Sequence, residues 1–218
     1  MDQIGAYLSA LFELIGRVYK LDPAALQWVW TNPYSIWLTL GVGILASLSI
    51  TLGHAVVLLI NQVTGWRFVL GVLFSALTLV LLHVLESVVL WGLGWWWSGN
   101  QVPYLIVLSA VLAASAPQVW GFLVLVPYMG TAIGRFLSAW SALCLWALVA
   151  GTFSMGRWGA LALVVVSWLA VNGLSTIAAP WMSRAMSSIL TRISGRPEWV
   201  TGADVLAGRP MIARGVEA

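Results

Sequence analysis

Charge is what this 218-residue sequence has least of, at 8% of residues, where a water-soluble domain carries roughly a quarter. So few charged groups cannot clothe a water-facing surface, which excludes an ordinary soluble globular domain. Cysteine is nearly absent as well. The one thiol, Cys144, excludes an intramolecular disulfide and a cysteine-built metal cluster. No stretch alternates apolar and polar residues over the roughly ten positions of a membrane β-strand, which excludes an outer-membrane type of barrel. A Gly-rich phosphate loop, a Gly-x-Ser-x-Gly elbow and a His-Glu-x-x-His motif are all missing, so no enzyme centre is expected. The start, Met-Asp-Gln-Ile, lacks the basic region of a cleavable signal peptide. The chain is therefore expected to insert through its first spanning helix.

What the sequence does have is apolar length. Hydrophobic residues make up 61% of it and the mean hydropathy is +0.95. Crossing a bilayer takes about 20 apolar residues, and the sequence affords five such runs, at about 36–60, 67–93, 104–126, 133–153 and 160–179. The expected fold is all-α, a polytopic membrane bundle of five transmembrane helices without a sizeable soluble domain. The second run exceeds what a bilayer needs, so tilting or protrusion is expected of it.

Residues 1–35 read as an amphipathic interfacial region. In a helix over 3–20, Leu8, Leu11, Phe12, Ile15 and Tyr19 share one face, while Glu13, Arg17 and Lys20 lie towards the other. Asp22-Pro23 should break that helix and open a short Trp28/Trp30 segment, with Asn32-Pro33 turning the chain into the membrane. After the last span, residues 181–193 form a basic amphipathic segment bearing Arg184 and Arg192, and 194–218 reads as a loosely ordered tail.

Ten Lys and Arg against seven Asp and Glu give a formal charge of +3. This small excess gathers near the ends, so it implies contact with anionic lipid headgroups and no nucleic acid. Arg67, Arg135, Arg184, Arg192 and Arg196 flank spans on the tail side, against Arg17, Lys20 and Arg157 on the other. The positive-inside rule thus places the carboxy terminus in the cytoplasm, and a prokaryotic inner or internal membrane is the expected location.

Three ionisable side chains interrupt the spans: His54, His83 and Glu86. Each is costly in hydrocarbon, at least about 2.5–3.5 kcal/mol on insertion scales. His83 and Glu86 share a helix face at i,i+3. They invite a proton-relay reading, or a metal-ligand reading that lacks a third ligand. His54 and His83 differ in depth by roughly 13–15 Å on helical geometry, too far to ligate one haem together. The plainer reading is a structural ion pair of Glu86 with Arg157, with Asn172 as a further polar partner in the bundle. Many of the fifteen tryptophans, including Trp28, Trp30, Trp66, Trp95, Trp158 and Trp181, fall where spans meet water and suit an aromatic belt. Trp120, Trp140, Trp146 and Trp168 lie deeper and read as packing residues.

From the third to the fourth span the chain reads Ser115-Ala116-Pro117, then Leu125-Val126-Pro127-Tyr128-Met129-Gly130, then Phe136-Leu137-Ser138-Ala139-Trp140-Ser141-Ala142-Leu143. Physically, Pro117 kinks a span, Pro127 and Gly130 make a turn, and Trp140 packs. The pattern resembles the Yip family of five-span membrane proteins. Its distinctive part is residues 115–143, within an overall plan that covers about Pro33 to Pro180. Yip proteins usually have a longer amino-terminal region than this chain and keep it in the cytosol, the opposite of the charge count here. The resemblance implies a non-enzymatic membrane partner. The expected function is therefore an accessory or scaffold protein that binds other integral membrane proteins, in a larger complex, or lipid, with no cofactor and no metal. One alternative is a pigment- or haem-binding subunit that holds a tetrapyrrole through His54 or His83. The other is a small proton- or ion-coupled transporter built on Glu86 and His83.

Overall fold

The computed structural model describes the backbone of residues 2–60, 65–99, 102–126 and 128–194, with side chains described there except at 2, 54–60, 67, 74, 175 and 177–194. Among the described residues seven α-helices follow one another: α1 (Asp2–Tyr19), α2 (Ala25–Thr31), α3 (Ser35–Ile60), α4 (Trp66–Ser98), α5 (Tyr104–Ala114), α6 (Gly130–Thr152) and α7 (Arg157–Ser194). A 3₁₀ segment, Ala116–Leu125, continues α5. No strand occurs among the described residues. Five stretches of the described residues are long and apolar enough to cross a membrane: Ser35–Gly53, Phe68–Ser98, Tyr104–Leu125, Gly130–Thr152 and Arg157–Leu174. They match the five expected runs, and the protein is a multi-span helical membrane protein.

The amino-terminal helix is amphipathic, but its buried stripe is displaced from the expected one. Leu11, Leu14, Ile15 and Val18 are buried, whereas Leu8 and Phe12 are exposed. The inner stripe is gripped by the bundle rather than laid over it. Tyr7 Oη donates to the Trp37 carbonyl at 2.9 Å, and Cys144 Sγ approaches the Val18 carbonyl at 3.4 Å. Cys144 stands eight residues before the end of α6, about 12 Å along the helix, so the end of α1 is sunk well below the helix ends. Its outer face carries Glu13–Arg17–Asp22, with Arg17 bonded to both carboxylates and stacked over Trp28 at 5.0 Å. Asp22 Oδ1 accepts from the Ala24 amide, and α2 starts at Ala25, slightly later than an Asp22 cap would place it.

The largest departure from the sequence-based picture lies at Pro117, expected as a kink within one α-helical span. Instead α5 stops at Ala114, and Pro117 sits in the first turn of the 3₁₀ segment. Proline lacks the amide an α-helix needs and clashes with the preceding turn; here the change of winding removes that conflict. The freed backbone groups find a side-chain partner on α3. Ser49 Oγ donates to the Val119 carbonyl at 2.7 Å and accepts from the Phe122 amide at 2.9 Å, as spanning segments with irregular winding require. The two backbones come together at glycines. A Cβ on Gly53 would stand 2.7 Å from the Gly121 carbonyl oxygen, and one on Gly121 would stand 3.0 Å from the Ile50 Cα.

The core draws on all seven helices, mostly α1, α2, α3, α5 and α6 around Leu14, Val18, Val29, Leu38, Val107 and Leu148, with Leu90 from α4 and Ala160, Leu163 and Val164 from α7. The second span, α4, packs on α3, α5 and α7, tied to the third by Ser87···Tyr104 at 3.0 Å and Trp91 Nε1 to the Val102 carbonyl at 3.0 Å. The last helix packs on α4 and α6. It runs unbroken through Pro180 to Ser194, beyond the expected end at 179, because a proline forfeits one hydrogen bond without forbidding helix on either side. The side chains of the basic segment 181–193 and the tail 195–218 lie outside the described residues.

Candidate functional site

Two features stand out from the packing: a polar pair on α4 and an aromatic cleft between the third and fourth spans. His83 and Glu86 lie one turn apart, and Nδ1 is 3.5 Å from Oε2, with side-chain exposures of 15% and 28%. They occupy the same side of α4 as the buried Val72, Ala76 and Leu90. The pair therefore points inward, midway along the long α4 helix. Paired in this way, each gives the other a polar partner inside the span, where an isolated ionisable side chain is costly. No group of three His, Cys, Asp or Glu suited to a metal occurs among the described residues.

The expected Glu86–Arg157 ion pair does not form among the described residues. Glu86 pairs with His83 instead, while Arg157 opens α7 and its carbonyl accepts from Trp146 Nε1 at 2.8 Å. The reason is depth. Glu86 stands twelve residues before the end of α4 at Ser98, about 18 Å along the helix, whereas Arg157 sits where α7 begins. Asn172 is exposed on α7, and its amide donates to the Trp168 carbonyl at 2.8 Å within the same helix. His54 lies on α3, and its side chain is outside the described residues, as is Pro127 altogether. Gly130 is the first residue of α6, where a Cβ would collide with the Val124 carbonyl.

The aromatic cleft has a volume of about 300 Å³ and is lined by Tyr19, Pro117, Trp120, Phe136, Leu137 and Trp140. Each wall has a local cause. On α6, Phe136 and Trp140 are i,i+4 neighbours whose rings stack at 6.1 Å. On the opposite side, the 3₁₀ winding sets Pro117 and Trp120 on one edge, since that helix repeats every three residues. At the top, Tyr19 Oη donates to the Ala116 carbonyl at 3.1 Å. Burial pushes the Tyr19 phenol above its ordinary value, while a hydrogen bond from Trp120 pulls the other way. The hydroxyl is thus engaged by the protein itself, and the cleft offers a ligand apolar surface alone. Trp120 and Phe136 form its lip, at 50% and 63% exposure.

Sequence reasoning placed Pro117, Trp120 and Trp140 one by one, as kink and packing residues, and missed that they converge. The available signal was the Phe136/Trp140 spacing beside a proline that frees backbone groups. Tyr19 carried no signal, because only the folded chain brings α1 to the third span.

No protein family, curated protein or solved structure matches this chain.

Proposed function

We propose that the protein is a non-enzymatic membrane accessory subunit that docks another integral membrane protein against the face formed by α4 and α7. The observation that carries this reading is where packing and polarity part company. Only 18% of the most apolar stretch of α4 and 22% of that of α7 are buried inside the bundle, against 61% for the third span. Yet, whereas the polar pair of α4, His83 and Glu86, faces inward, α7 exposes Asn172 within its span. Side chains of this kind within spans favour protein neighbours over lipid.

The exposed surface of α4 is a ridge, Leu73, Leu77, Leu81, Leu85 and Val88, repeating every three to four residues. Such a row fits the groove of a neighbouring helix. On α7, Val165, Trp168 and Leu169 extend the surface around Asn172. The resemblance of residues 115–143 to the Yip family agrees in kind, since it implies binding rather than catalysis. The amphipathic α1 and the basic end of α7 offer further contact surfaces at the two membrane faces.

Native mass spectrometry of the protein extracted from its own membrane in gentle detergent tests the reading. A stoichiometric polytopic partner is expected, and Leu77→Ala together with Leu81→Ala should release it while the isolated chain keeps its thermal stability. Recovery of the chain alone, or with a bound tetrapyrrole and no protein partner, would contradict it. In the second case the histidines would become the centre of the account.

A further inference from the structure

We infer that the aromatic cleft binds one acyl chain of an anionic phospholipid whose phosphate is held by Arg135. The inference goes beyond the docking face and does not depend on it, because α4 contributes nothing to the cleft and neither does α7. The walls are apolar and aromatic, and the one hydroxyl among them, on Tyr19, is bonded to the Ala116 carbonyl. A polar or charged small molecule would be stripped of water there with nothing to replace it. About 300 Å³ lies at the lower end of ligand-site volumes, room for one hydrocarbon chain rather than a whole lipid. The lip, made by Trp120 and Phe136, opens towards the bilayer, where such chains are the solvent.

Charge selects the headgroup. Arg135 adjoins Phe136, is exposed, and joins no ion pair among the described residues. It stands five residues after Gly130, where α6 begins, about 7–8 Å along the helix. A guanidinium at that depth reaches the headgroup level by extending its side chain towards the surface, and its planar fork suits a phosphate. The other cation beside the cleft, Lys20, follows Tyr19, but Glu13 and Asp22 lie close by around Arg17 and make that end locally neutral. The phosphate therefore belongs at the Arg135 end, in the leaflet next to the start of α6. The chain then runs along Phe136 and Trp140 towards Tyr19.

Retention of phosphatidylglycerol and phosphatidylcholine with identical acyl chains, read by native mass spectrometry of the full chain, tests this. One phosphatidylglycerol per protein is expected to persist after the annular lipids are lost. Arg135→Gln should weaken its retention about fivefold and leave phosphatidylcholine unchanged. Leu137→Trp, which fills the cleft, should lower retention of both. Equal retention of the two lipids by the unaltered protein would overturn the inference. So would a phosphatidylglycerol preference that survives Arg135→Gln, or one abolished by Lys20→Gln instead. The Arg135 change lies on the surface, so its result stands even if the cleft-filling variant fails to fold.

Discussion

The second and third spans are both strongly apolar, yet they have opposite fates. In the third, 61% of the most apolar stretch is buried; in the second, 18%. Hydropathy does not separate them, because in a bilayer the lipid tails are as apolar as leucine and give helices no hydrophobic reason to associate. Side-chain size separates them. The third span brings Ala110, Ala113, Ala114, Ala116 and Gly121 into the interior, and small residues let backbones approach closely. The second presents Leu73, Leu77, Leu81 and Leu85 outwards. One helix is built to be the centre of the bundle and the other to face whatever lies beside it.

That contrast is most sharply broken at the α3 contact of the third span. Gly121→Val should cost about 1–3 kcal/mol or more, because the added atoms meet the Ile50 backbone as well as its Cγ1. Thermal unfolding followed by size-exclusion chromatography in detergent would show it as a lowered midpoint. Ser49→Ala removes both hydrogen bonds to the 3₁₀ segment and should cost about 0.6–1.7 kcal/mol, the range seen for polar contacts inside membranes. A negligible loss would mean that the freed backbone groups are satisfied some other way.

On the sparse side the expected effects are smaller. Glu86→Ala strips His83 of its carboxylate and should lower stability by about 0.6 kcal/mol. Unchanged yield and midpoint would remove the idea that the pair is structural. Leu81→Ala should change the isolated chain by less than about 0.5 kcal/mol, in contrast to Gly121→Val. The smallest effect expected is on pH dependence. Burial raises the Tyr7 and Tyr19 phenols above their ordinary value of 10.0. A raised folded-state value means that the neutral form contributes stability, fully present below about pH 10. That contribution is lost as pH rises through the folded value. Tyrosinate absorbance in Tyr7→Phe and Tyr19→Phe variants should assign the late-ionising fraction to these two residues.

The limits of the spans were less legible in the sequence than their number, since α4 runs on to Ser98 and α7 through Pro180. The number was legible because each span depends on a long apolar run, and that signal is local. The amphipathic nature of α1 was legible for the same reason. Which of its apolar residues face inward was not, since the buried Leu14 and Val18 and the exposed Leu8 and Phe12 differ only in where the bundle meets them. The Glu86–Arg157 pairing failed because helix depth, read from loop positions, carries errors of several residues. The cleft was invisible as a unit because it joins residue 19 to residues 117–140, and its shape depends on a 3₁₀ winding that Pro117 permits but does not announce.

Whether α4 and α7 face a protein is decided by site-specific photocrosslinking in the native membrane. A benzophenone side chain placed at Leu81 on α4 should give a discrete protein adduct. The same group at Leu143 on α6, which is also exposed, should label lipid alone. Lipid labelling at both positions would contradict the account, since α4 would then be an ordinary lipid-facing span.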